Sequence, residues 1–169
     1  MKADAANSPT GGVGSLERAT LAAEIHDLYG GQGDGDRLLA AFRAAALYVP
    51  LAGSEPVCSV ETDGVQWLYA FTSTTELERF ARARAETGND SGWTSGRVRY
   101  WTVLGSRLLD VAVPAAVTET RIPTGVAVDV GGIRQLLMPP ASGVVLDQVA
   151  VDLLDMDMDM HMDLDRDRT

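Results

Sequence analysis

Apolar side chains fall at helical spacing in the first part of the chain. Residues 15–29 place their large apolar side chains on one face, which predicts an amphipathic helix. The pair Gly30-Gly31 readily takes the left-handed conformation that ends helices. A second helix is predicted to begin after an aspartate cap in the sequence GDGD at 33–36 and to run to about Ala46.

Short apolar runs rich in β-branched and aromatic residues follow these helices. The predicted strands are residues 48–51, 57–60, 65–71 and 98–104. Asp63-Gly64, between the second and third strands, is typical of the type I′ turn of a β-hairpin. Pro50 has no N–H for a strand ladder, so the first strand is expected to place this residue at a sheet edge or a strand end.

Capping signals predict two further helices. Ser73 and Glu76 have the spacing of a capping box, in which the hydroxyl accepts from a helix amide and the carboxylate returns to the cap residue. A helix is therefore predicted to begin at this point. A shorter helix is expected at 106–112, ending before Pro114, because proline removes a helical hydrogen bond.

Two apolar runs near the end of the chain flank a pair of glycines. The runs at 126–130 and 133–138, with two glycines between them, predict a second hairpin. Residues 144–154 fit either a short helix or a closing strand. Helices and hairpins without a regular alternation of strand and helix predict an α+β fold, in which a mixed, largely antiparallel sheet with two hairpins packs against helices.

Length and composition suit one hydrophobic core. The chain has 169 residues, 46% of them hydrophobic, so a single domain is predicted for residues 15–152. A flexible glycine-rich segment is expected at 1–14 and an acidic tail at 153–169. No run is long and apolar enough to span a bilayer, and the single cysteine, Cys58, fits a reducing compartment. The sequence therefore predicts a cytoplasmic protein.

The charge of the chain disfavours two classes of partner. The net charge is -10, and half of it falls in residues 152–169, where seven aspartates face two arginines. Such a chain repels phosphate backbones and anionic lipid surfaces. We therefore expect no nucleic-acid partner and no membrane partner.

The tail alternates aspartate with methionine and resembles a metal-binding loop only in part. Asp155, Asp157 and Asp159 match the first, third and fifth ligands of a calcium loop. Met160 then stands where the loop needs glycine, and Arg166 stands where it needs a bidentate glutamate. The tail is predicted to be mobile and solubilising, with no metal site, although its methionines leave docking on a partner open.

No residue set in the sequence favours an enzyme. Cys58 has apolar neighbours and is expected in the core, while His26 lies in the first helix and His161 in the tail, so no imidazole is placed as a base. The glycine run at 30–36 follows a helix and lacks the lysine of a phosphate loop. Glu76 is explained by capping. The expectation is a protein without catalytic residues, cofactor or metal.

Aromatic and arginine side chains cluster near the fourth predicted strand. Trp93, Arg97, Arg99 and Trp101 form the candidate interaction surface, since tryptophan and arginine are enriched at binding hot spots. In a strand, Arg99 and Trp101 point to the same face. The alternative is an ordinary core tryptophan with surface arginines.

Three segments resemble a known family. LYVPL at 47–51, YAFTS at 69–73 and GVAVD at 125–129, in this order, are similar to the N-terminal domain of the SseB family, named for enhanced serine sensitivity, over residues 35–150. Many members have an asparagine-proline-glycine turn where this chain has VGG at 130–132. The resemblance implies an α+β domain with no established reaction or cofactor.

Three functions are consistent with these features. The first is a non-enzymatic SseB-like domain that acts by protein-protein interaction, linked to serine or amino-acid metabolism, with an unidentified protein or a second copy in a homodimer as its partner. The second is a small-ligand sensor, and the third is an accessory or chaperone-like protein of a secretion system. The first predicts an exposed aromatic patch, and the second a cavity with convergent polar groups.

Overall fold

Helices cover both faces of a β-sheet in the computed structural model, which describes residues 11–52, 55–56, 63–86 and 98–152. The helices are α1 (Gly11–Tyr29), α2 (Gly35–Ala44), α3 (Thr74–Glu86), α4 (Gly105–Arg107) and α5 (Val113–Thr120), with a π-helical turn at Leu108–Ala112 and a 3₁₀ turn at Asp147–Val149. The strands are β1 (Ala46–Ala52), β2 (Glu55–Pro56), β3 (Gln66–Ala70), β4 (Tyr100–Leu104), β5 (Thr124–Val128) and β6 (Leu136–Met138). The predicted α+β class is confirmed.

The strands form two groups of three. In one group, β1 lies between β2 and β4 and is antiparallel to both. In the other, β5 lies between β3 and β6, parallel to β3 and antiparallel to β6. Antiparallel pairs therefore predominate, as predicted, and the single parallel pair among the described strands places the carboxyl ends of β3 and β5 side by side.

One antiparallel bridge joins the two groups into a continuous sheet. Tyr48 in β1 donates its N–H to the Phe71 carbonyl at 2.9 Å, and Phe71 donates back to the Tyr48 carbonyl at 2.8 Å. Pro50 lies inside β1, not at a strand end as one alternative predicted. Strand alternation directs its ring nitrogen to the edge where Tyr48 meets Phe71, beyond the last bond of that bridge, so no ladder bond is lost.

Alternating side chains on β1 and β3 divide the core between the two faces of the sheet. Leu47 and Val49 of β1 enter the larger cluster, which also contains the buried faces of α1 and α2. Tyr48, between them, packs on the smaller cluster under α3, together with Tyr69 of β3. This period of two is what a pleated strand imposes, and it gives three layers of helix, sheet and helix.

The predicted start signals of two helices are confirmed. Asp34 accepts a 2.9 Å hydrogen bond from the Arg37 amide and caps α2. Ser73 Oγ accepts from the Glu76 amide at 3.2 Å at the start of α3. The first helix begins at Gly11, inside the segment predicted to be flexible, while residues 1–10 and the tail at 153–169 lie outside the described residues.

The prediction that a helix stops before Pro114 is wrong. Helical backbone continues from Gly105 to Thr120, and Pro114 stands in the first turn of α5. Ahead of it the helix widens into a π-helical turn, in which the Val113 amide bonds to the Leu108 carbonyl. A wider turn accommodates the proline ring and its missing donor without ending the helix.

The second predicted hairpin is confirmed, but its tight two-glycine turn is wrong. The ladder pairs Val128 with Leu136, so residues 129–135 form a loop and not a two-residue turn. Asp129 leaves β5 with a φ of 52°, and Gly131 follows with a φ of 75°. Asp63 and Gly64 also have positive φ angles, as a type I′ turn requires, while its predicted partner strand at 57–60 lies outside the described residues.

Gly105 marks the closest packing of α4 on α2 and supplies a stability test. A methyl group added at Gly105 would overlap the Phe42 carbonyl oxygen and lie 2.7 Å from its carbonyl carbon. Because that contact is backbone, we expect Gly105→Ala to lower the free energy of unfolding by about 2 kcal/mol or more. Urea denaturation followed by circular dichroism measures this loss.

Gly35→Ala in α2 is the matched control, since no atom lies within 4 Å of the added methyl group. This variant should equal the parent or exceed it by up to about 1 kcal/mol. Equal stability of the two variants would contradict the close packing of Phe42 on Gly105.

Candidate functional site

A cleft of about 670 Å³ opens where the parallel strands β3 and β5 end. Ala70 and Val128 are paired at the last step of the two strands, so the residues that follow, Thr72 and Asp129, lie next to each other. Ligands of sheets with parallel strands bind outside the carboxyl ends of the strands. Helix α1 supplies the other wall of the cleft.

Asp129 is the most constrained group in this cleft. It is 8% exposed, and its carboxylate accepts from the Thr72 amide at 2.9 Å and from the Thr72 hydroxyl at 2.7 Å. Burial raises the pKa of Asp129, opposed by these two hydrogen bonds and by the charge of Arg79. The left-handed backbone at Asp129 turns the carboxylate from the end of β5 toward the end of β3.

The start of α3 forms the polar floor beside Asp129. Arg79 donates to the carboxylate of Glu76 one turn earlier, and both side chains line the cleft. Gly132 of the 129–135 loop packs against this pair, because a methyl group there would lie 2.6 Å from Arg79 Nη2 and 2.7 Å from the Asp129 carbonyl oxygen. Only glycine allows the loop to approach so closely.

Helix α1 contributes an apolar wall with one cation. Ala19, Ala22 and Ile25 line the cleft from the helix, and Tyr48 lines it from β1. The guanidinium group of Arg18 lies 4.9 Å from the centroid of the Tyr48 ring and donates to the Ala46 carbonyl at 3.0 Å. Arg18 therefore fastens α1 to β1 while keeping further N–H donors.

The tip of the 129–135 loop forms the rim of the cleft. Ile133 is 90% exposed, the highest value among the large apolar side chains that the structure describes. Arg134 beside it is also exposed, and within the described ranges it makes no ion pair with a carboxylate. The loop is held at its end by the Tyr29 hydroxyl, which donates to the Gln135 carbonyl at 2.7 Å.

Two of the four predicted interaction residues, Arg99 and Trp101, do not line this cleft. Arg99 and Trp101 are exposed on or next to the edge strand β4, and Trp93 and Arg97 lie outside the described residues. Tyr100 and Trp101 point to opposite faces of β4 and are 43% and 50% exposed, so neither is a core side chain. The alternative of a core tryptophan is therefore wrong for Trp101.

Most of the other candidates have structural roles or lie outside the described residues. Asp34 caps α2, as predicted. Only the Ser73 half of the predicted capping box is seen, since the Glu76 carboxylate pairs with Arg79. His26 is exposed on α1, whereas Cys58 and His161 lie outside the described residues.

The described residues contain neither a metal-binding cluster nor a helix that could span a membrane. The described part of the chain holds no group of three or more side chains suited to a metal ion. In the same part, every helix is too short or too polar to cross a bilayer.

Sequence reasoning missed Asp129, Thr72 and Arg18. A signal for the first two was present, since each follows an apolar strand, but Asp129 was read as part of a longer strand. For Arg18 the sequence shows only one polar position on an amphipathic helix. Its contact with Ala46 joins residues 28 positions apart and becomes visible only in the fold.

The burial of Asp129 generates a test of pH dependence. Because its folded pKa lies above 3.8, the folded state keeps a proton that the unfolded state loses. As pH rises from 3.8 through the folded pKa, Asp129 therefore lowers the free energy of unfolding. Asp129→Asn retains an acceptor for the Thr72 amide without this charge, so the free energy of unfolding of the variant minus that of the parent should rise from acid to neutral pH.

Urea denaturation of parent and variant between acid and neutral pH measures this difference. Asp63→Asn is the control, since Asp63 has the same φ of 52° but is exposed. Asparagine is favoured at such angles, and the control removes that contribution. A difference for Asp129→Asn that is negative and independent of pH would show that burial does not govern this carboxylate.

Comparison with known proteins finds no matching family model, no matching curated protein and no matching solved structure. The resemblance to the SseB family therefore stays a prediction. The cleft and the exposed strand β4 are the two candidate binding surfaces of the described residues.

Proposed function

We propose that this chain is a small-molecule-binding domain whose ligand occupies the cleft between α1 and the ends of β3 and β5. The observation that carries the proposal is the convergence of the buried Asp129 carboxylate with arginine side chains in a cleft of about 670 Å³. Ligand sites typically have volumes of about 300 to 1,000 Å³ and combine apolar walls with a few placed polar groups. This is the sensor hypothesis of the sequence, with an open cleft in place of an enclosed cavity.

A purely structural role accounts poorly for Asp129. The Thr72 amide and hydroxyl each donate to a separate oxygen of the carboxylate, and neither bond requires a charged acceptor, whereas a buried carboxylate loses hydration. Titratable groups held in this way within a concave surface are characteristic of functional sites. The carboxylate and its neighbours therefore favour recognition of a polar ligand.

Binding without chemistry fits the side chains around the cleft. The described residues that line it include neither histidine nor cysteine. The Thr72 amide and hydroxyl each donate to one oxygen of the Asp129 carboxylate, so both oxygens already accept a hydrogen bond within the protein. The proposal keeps the expectation of a non-enzymatic protein.

A protein partner at β4 is the second candidate function. Tyr100, Trp101 and Leu104 are each at least 40% exposed on an edge strand, and exposed aromatic side chains are favoured at interfaces. This surface agrees with the interaction hypothesis that follows from the SseB-like segments, with a link to serine or amino-acid metabolism. A homodimer through the same edge is the form of this candidate that needs no other protein.

Filling the cleft tests the first candidate. Ala22 lines the cleft on α1, and Ala23 is an exposed neighbour that does not. We expect Ala22→Trp to weaken small-molecule binding by about tenfold or more by steric exclusion, and Ala23→Trp to leave it unchanged. The measurement is a small-molecule fragment screen by amide NMR, scoring compounds that shift the signals of Thr72 and Asp129. A screen without such compounds, or equal binding by both variants, would contradict the proposal.

Trp101→Ala separates the second candidate from the first. Trp101 does not line the cleft, so this variant should bind the same fragments as the parent. If β4 docks a partner, the variant should lose the proteins that the parent retains from a cytosolic extract, or lose self-association in sedimentation, while Ala22→Trp retains both. Unchanged partner recovery and self-association in Trp101→Ala would remove the β4 candidate.

A further inference from the structure

We infer that the ligand of the cleft is a small organic carboxylate with a single negative charge and an apolar portion, in which Arg134 and Arg18 bind the carboxylate and Ile133 and the apolar side chains of α1 contact the apolar portion. The inference rests on the proposed function and names the class of its ligand. The charges that line the cleft, the placement of its arginines and its apolar side chains support this ligand class.

The charges that line the cleft favour one negative charge on the ligand. Three arginines face two carboxylates there, a formal excess of one positive charge in a chain whose net charge is -10. Glu76 is paired with Arg79, and Asp129 is engaged by Thr72. A phosphate group carries nearly two negative charges and would meet these two carboxylates at close range, whereas a carboxylate matches the excess.

Arg18 and Arg134 are the groups placed to receive that charge. Neither forms an ion pair with a carboxylate among the residues that the structure describes. Arg18 uses one N–H on the Ala46 carbonyl and keeps others for a ligand, and its stacking on Tyr48 fixes its direction. The planar guanidinium fork matches the two oxygens of a carboxylate.

The apolar side of the cleft selects against a bare anion. Ala19, Ala22 and Ile25 form a continuous strip on α1, because their spacing of three residues returns to the same face of a helix. Ile133, 90% exposed at the rim, has no apolar cover in the described structure and would gain one from a bound chain or ring. A ligand with an apolar portion therefore contacts both walls.

The loop that carries Ile133 and Arg134 is anchored on both sides of its tip. Asp129 is fixed to Thr72 at its start, and the Gln135 carbonyl is bonded to Tyr29 at its end. Gly132 presses against the Glu76 and Arg79 pair. The loop thus presents one cationic and one apolar side chain at the same rim, which is the pattern an amphipathic carboxylate requires.

Matched probes with one apolar chain and different head groups test this class. Hexanoate, hexylamine and hexanol are titrated separately into the full chain, with acetate and inorganic phosphate as bare anions, and amide NMR shifts are followed. Hexanoate should shift Asp129, Gly132 and Arg134 saturably. Each of the other four probes should bind at least about tenfold more weakly than hexanoate, since each lacks the single negative charge or the apolar chain.

Substitutions at Arg134 and Ile133 test which residue binds the carboxylate and which contacts the apolar portion of the ligand. Arg134→Ala should weaken hexanoate by about tenfold, and Arg134→Lys should lose less, because lysine keeps the charge but not the fork. Ile133→Ser should weaken hexanoate and leave acetate unchanged. Arg107→Ala is the control, since Arg107 is exposed on α4 and does not line the cleft.

The outcomes separate this inference from the proposed function. Tighter binding of hexylamine or phosphate than of hexanoate at the same amides overturns the carboxylate class while binding in the cleft stands. The same holds if no probe shifts these amides but fragments sensitive to Ala22→Trp do. If neither probes nor fragments reach the cleft, both the class and the proposed function fail.

Discussion

The two hydrogen bonds between Tyr48 and Phe71 set the position of everything that surrounds the cleft. On one side of the bridge, β1 carries α1 through the contact of Arg18 with the Ala46 carbonyl. On the other side, Phe71 leads directly to Thr72, which holds Asp129 at the end of β5. Because Phe71 is fully buried, water competes little for these bonds, which connect the strands that carry the two walls of the cleft.

Asp129 lines the cleft at a cost to the stability of the fold. Its carboxylate is desolvated, its backbone is left-handed, and its pKa is raised by burial, so each feature opposes folding at neutral pH. The hydrogen bonds from Thr72 offset part of this cost and join the ends of β3 and β5. This residual cost is one of the observations that support the proposed role of Asp129 in ligand recognition.

Tyr48 connects the two candidate surfaces. One part of its ring lines the cleft under Arg18, and the ring also meets Tyr100 of β4 edge to face at a centroid distance of 5.2 Å. A ligand that moves Arg18 or Tyr48 would therefore change the packing of an aromatic side chain on the exposed edge strand. The two proposed functions would therefore be coupled through Tyr48, and they need not exclude each other.

Local chemistry explains how much the sequence could predict. The Asp34 cap, the Ser73 cap and the positive φ angles at Asp63-Gly64 depend on residues within a few positions, so each could be read directly. The predicted end of a helix before Pro114 was wrong because a π-helical turn precedes the proline and lets the helix continue. The two-glycine turn failed because the ladder from Val128 to Leu136 selected a longer loop.

By itself the sequence determined the α+β class, the places where most helices begin and the acidic, largely aspartate-based charge of the chain, since these follow from side-chain period, caps and composition. The cleft forms only through tertiary contacts. Arg18, Thr72, Asp129 and Arg134 are far apart in sequence, and the parallel pairing of β3 with β5 and the bridge from Tyr48 to Phe71 bring them together. Such contacts depend on which strands pair with each other across long stretches of sequence, and a short window of residues does not show this.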